Sequence, residues 1–278
     1  MSSKREPMGK FFRVCSLDVP LSAISKEIFD FLKANNITSR TDTDKIGSGL
    51  GGESETETGY NNWYCYTVTD SAQLLKFTIH VFPHIEGTCV EFVRENGTQY
   101  RDLAILFGKY EIHSGIPLTS FTLPNNMPLP FNDISDDSEN PLSVDEYKHA
   151  IGALLNWIDA DPEQALQSIG IMSWEKSSFH LLESSTVLEK LVEILCLFVS
   201  DFKEISLSLG LACLRVFIKS SVESGITHEF SDIIIGKIKS ACSGALDIAS
   251  RNNNLTVEKE AKSLVDTINS LGVLGLSI

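Results

Sequence analysis

Over residues 74–114 the hydrophobic positions recur first with a period of two and then with the period of a helix. Leu75, Phe77, Ile79 and Val81 share one face of an extended chain, and Lys76, Thr78 and His80 share the other. That alternation predicts a half-buried strand. Pro83 has no N–H to donate and predicts the end of the ladder there. Alternation then resumes, with Val90 and Phe92 expected inward and Glu91 and Arg94 outward. Asn96-Gly97-Thr98 predicts a tight turn, with Thr98 as helix N-cap. Tyr100, Leu103, Ala104 and Phe107 follow at i, i+3, i+4 and i+7, a stripe that would lie across one face of the sheet.

The preceding residues supply the rest of a small domain. Residues 1–10 read as a disordered lead-in, and 11–19 alternate as a strand. Pro20 suits the first turn of a helix, and Leu21, Ile24, Ile28, Phe29 and Leu32 mark its apolar face. Residues 38–60 are polar, acidic and glycine-rich and predict a long mobile loop. Residues 62–69, NWYCYTVT, are aromatic and β-branched and predict a strand. The order is β-α-β-β-β-α over residues 11–114: an α+β fold, a four-stranded antiparallel sheet with two helices.

Residues 115–142 carry five prolines and predict an extended, acidic linker. Its ISDDSEN segment makes Ser135 and Ser138 candidate phosphorylation sites. From 143 to 278 the periodicity is helical throughout. Residues 144–158 and 162–172 predict a first pair, and Thr186 with Glu189 a capping box opening the next helix. Residues 203–220 are apolar nearly all round, which predicts a helix buried among others. Helices over 230–249 and 257–271 complete the set. The two later pairs recur at about 40 residues, the armadillo/HEAT range, so the expectation is a short helical array or a bundle.

Charge and composition narrow the function. Residues 132–278 carry 22 acidic against 11 basic side chains, while 1–131 carry 15 against 12. The net charge of −14 argues against nucleic acid and points to a protein partner with a basic segment. With a mean hydropathy near zero and no secretory signal, a cytoplasmic or nuclear location is the expectation. Six scattered cysteines without a CxxC pair read as buried free thiols, with neither zinc nor disulfide. Gly47 to Gly52 match a dinucleotide fingerprint, but the acidic residues on both sides would repel a phosphate. His80 and His84 are separated by Pro83 and cannot share a helical face. No nucleophile elbow or metal spacing is present, so neither enzyme activity nor a cofactor is expected.

Four phrases give a family resemblance: FLKANN (31–36), FTIHV (77–81), VEFVRENGT (90–98) and QYRDLA (99–104). Residues 11–113 resemble the kinase-associated domain at the C-terminal tail of microtubule-affinity-regulating and AMP-activated kinases. The resemblance implies the α+β fold and a role in contacting protein partners or a regulated domain. It also implies an alternative, a peripheral membrane protein binding anionic phospholipid headgroups, because some members do so through clustered Lys and Arg. Arg94, Arg101 and Lys109 are the candidate contacts for an anion, lipid or partner. Glu91 stands where the lipid-binding members carry a basic residue, which favours the first role: a scaffold or regulatory protein without catalysis.

Overall fold

The structure is a computed structural model that describes residues 11–16, 19–41, 61–84, 87–95, 100–114, 152–158, 160–174, 182, 185–225 and 231–273. The chain divides into two compact units. One comprises residues 1–67 and 75–126, the other 68–74 and 127–278.

In the first unit, β1 (Phe11–Ser16), α1 (Leu21–Ala34), β2 (Thr38–Thr41), β3 (Asn61–Val68), β4 (Leu74–His84), β5 (Gly87–Arg94) and α2 (Tyr100–Ser114) follow one another. The sheet order is β1-β5-β4-β3-β2. The α+β class, the antiparallel strands and the two helices are as the periodicity predicts. β2 adds a fifth strand at one edge, in a segment expected to be loop. Only Thr38 of its four residues is buried, so it carries no alternation to read. It pairs with β3 directly after α1 ends, where Asn36 adopts a left-handed φ of 53° and Ile37 N–H bonds Leu32 C=O at 2.9 Å. Pro83 does not end β4: it pairs in register with Thr88, next to last in the hairpin and exposed, where a missing donor is tolerated.

The helices cover one face of this sheet. Ile24, Ile28, Phe31 and Leu32 from α1 and Leu103, Leu106, Phe107 and Tyr110 from α2 pack with Trp63, Phe77, Ile79, Val90 and Phe92. Phe92 is the hub. It stacks on Phe77 at 5.8 Å and meets Phe107 edge-on at 5.3 Å, with Tyr110 at 5.3 Å and Phe31 at 6.5 Å. On the other sheet face His80, whose Nδ1 lies 2.6 Å from Asn62 Oδ1, pairs in register with Glu91.

The second unit holds a helical stretch at 152–158 and then α3 (Pro162–Trp174), α4 (Ser185–Asp201), α5 (Glu204–Glu223), α6 (Asp232–Asn252) and α7 (Leu255–Val273). Thr186 is the second residue of α4, which begins two positions earlier than a cap at Thr186 requires. α5 packs on α3, α4 and α7, while α6 packs on α4 and α7. Thus α4 and α6 neighbour each other, and α5 is packed between α3 and α7. α5 is long and apolar enough to cross a membrane, yet 72% of its apolar window is buried inside the unit. Its hydrophobic surface is occupied by neighbouring helices.

Two polar devices fix the layers. Glu204 accepts from Asn252 and Asn254 at 2.6 and 2.7 Å, tying the start of α5 to the α6–α7 turn, while Asn254 Oδ1 caps α7 through Val257 N–H. Glu260 is fully buried, with Arg215 Nε 3.2 Å and Lys259 Nζ 3.1 Å away. The same two cations donate to the carbonyls of Asp70 and Val68, and Gln167 bonds Gln73 and Leu74. These bonds seat residues 68–74 in the helical unit, with Ala72 against Gly170.

The cysteines depart from the uniform expectation. Cys65, Cys213 and Cys242 are free and buried, but Cys196 is exposed and Cys89 is disulfide-bonded. The backbone register sets Cys15 opposite Cys89. The lead-in, residues 42–60, the turn at 96–98, Ser135 and Ser138 in the linker, and residues 144–151 lie outside the described residues.

Candidate functional site: a groove between α4 and α6

α4 is amphipathic in its buried half: Val187, Leu188, Leu191, Val192, Leu195 and Phe198 turn inward. Its outward half breaks the rule. Glu189 and Glu193 are followed, at helical spacing, by Cys196 and Leu197, and Leu197 is 48% exposed. An apolar side chain at that position gains nothing from water, and it adjoins a groove.

The groove has a volume of about 390 Å³ and is lined by Glu189, Val192, Glu193, Cys196, Leu197 and Ser200 from α4 and by Ile234 and Lys237 from α6. Its origin is the spacing of the two helices. Val199 lies so close to Gly244 that a Cβ there would fall 2.7 Å from the Val199 Cγ1. A glycine lets the backbones approach at that point, and toward the N-terminus of α6 Ile234 and Lys237 line the opening. Val192, 3% exposed, forms the floor.

Electrostatically the rim is acidic, with two carboxylates against the Lys237 ammonium. Glu193 lies 4.0 Å from Lys190 within its own helix. The chemistry on offer is apolar contact bordered by charge. Cys196 is the lining thiol, and among the described residues no histidine lines the groove to act as its base. Among the described residues no group of three His, Cys, Asp or Glu is placed to hold a metal. Burial raises the pKa of the Cys65 and Cys213 thiols, and that of Cys242 to about 12, so these three are poor nucleophiles.

Of the three sequence-expected contacts, the side chains of Arg94 and Lys109 are described, on β5 and α2. Arg94 pairs in register with Phe77 and shares the face of Phe92, under the helices and half-buried, because residues two apart point the same way. The expectation that it points outward with Glu91 is therefore corrected. Lys109 is exposed on α2 beside the buried Tyr110, on the helix side away from the sheet. Arg101 opens α2, and its side chain lies outside the described residues. The groove residues were missed because α4 and α6 are brought together by the fold. The one local signal was Cys196-Leu197 on an otherwise polar face.

No protein-family model matches the chain, and neither does any curated protein or solved structure.

Proposed function

We propose that this chain is a non-enzymatic interaction or scaffold protein of the cytoplasm, whose helical unit holds a partner segment in the groove between α4 and α6. The observation that carries the reading is Leu197. It stands half-exposed on an outward helix face, beside Cys196 and across from Ile234, in a concave site with an acidic rim. Exposed apolar surface gathered in a concavity is the usual signature of a protein contact. The resemblance of residues 11–113 to kinase-associated tails supports the same kind of role. Charge favours protein over lipid: anionic headgroups call for clustered cations, whereas Arg94 and Lys109 occupy different layers and the chain carries −14.

Panning a random peptide display library on the full-length protein tests this. The reading predicts enriched sequences whose binding falls at least ~10-fold on Leu197→Asp, the loss expected when a central apolar anchor is removed. No enrichment, or enrichment indifferent to Leu197→Asp, would overturn it.

A further inference from the structure

We infer that the occupant of this groove is an amphipathic helix with Lys or Arg beside its apolar edge. The inference rests on the interaction reading above and narrows it to one partner chemistry.

Three features of the groove carry it. The first is length. The α4 wall runs from Glu189 to Ser200, about three turns and roughly 16 Å at 1.5 Å per residue. That matches anchors at i, i+3 or i+4, and i+7 of a bound helix. The second is backbone chemistry. Both walls are helices whose N–H and C=O groups bond within themselves, so a strand laid between them would find no ladder to join. A helix brings its own hydrogen bonds and presents only side chains. The third is charge. Glu189 and Glu193 are four residues apart, one above the other on the same wall; Lys237 faces them from the other wall, and Lys190 lies 4.0 Å from Glu193 within α4. A basic side chain on each of two successive turns of the ligand would meet both carboxylates. A second copy of this chain, at −14, would add repulsion at the same rim.

Two synthetic peptides with the same leucine edge test the inference, one flanked by lysines and the other by glutamates. Binding to the full-length protein is read by fluorescence anisotropy at low and at physiological salt. Protection of Cys196 from maleimide is read by mass spectrometry of the peptide fragment that contains it. The lysine peptide is expected to bind at least ~10-fold more tightly than its glutamate twin and to weaken with salt. It is also expected to slow Cys196 alkylation. Glu189→Lys with Glu193→Lys, both at exposed positions, should invert the preference. Equal binding of both peptides with Cys196 protected would overturn the basic-helix inference and leave the groove reading standing. Binding of the lysine peptide that neither protects Cys196 nor responds to Leu197→Asp would overturn both. Self-association abolished by Leu197→Asp would assign the groove to a second copy instead.

Discussion

Phe92 concentrates the energetics of the first unit in one side chain. Four rings surround it, and it is fully buried. Phe92→Ala is expected to lower stability by about 3–5 kcal/mol, read as a drop in the urea midpoint. Near it, Glu27 shows what a misplaced charge does. Burial raises its pKa, offset in part by His113, and its Oε1 is buried without a partner among the described residues. A raised carboxylate favours the protonated form in the fold. Its contribution is therefore greatest below the unfolded pKa and is lost as pH rises through the folded value. Glu27→Gln should consequently raise the urea midpoint at pH 7 and leave it little changed at pH 4. A variant less stable than the parent at pH 7 would show that the charge is compensated. The residue scale is also where reading the chain failed most simply. Arg94 has the parity of Val90 and Phe92, so its inward face was legible and was overridden by its charge. Cys89 offered no such clue, since nothing in its local pattern distinguishes a bonded cysteine from a buried free one.

Among elements, the helix pairs owe their geometry to a few contacts that composition does not announce. Gly244 admits Val199, and any Cβ at that position forces a stiff β-branched side chain to move. Gly244→Ala should cost about 1–3 kcal/mol, and Val199→Ala in the same protein should recover much of that loss. Thermal unfolding of the two single variants and the double variant measures it; strict additivity would refute the contact. The Glu260 cluster makes a sharper case. Removing Arg215 leaves a fully buried carboxylate with Lys259 alone. Arg215→Ala should therefore destabilise by about 3–5 kcal/mol, while Arg215→Leu combined with Glu260→Leu should cost much less. Helices with strong periodicity, such as α5 and α7, were readable to within a few residues. β2 was not, because an edge strand with a single buried residue has no pattern.

At the scale of the molecule, the acidic helical unit contains a groove whose two walls are separated by about 40 residues of chain, so no local motif could reveal it. Its apolar content sits at Leu197, Cys196 and Ile234, and its charge at Glu189 and Glu193. The most direct measurement is the pair of binding isotherms of the lysine-flanked amphipathic peptide on the wild-type chain and on Leu197→Asp. The account predicts saturable binding to the first and a loss of at least ~10-fold on the second, with the urea midpoint unchanged. Superimposable isotherms, or saturable binding to neither, would contradict it.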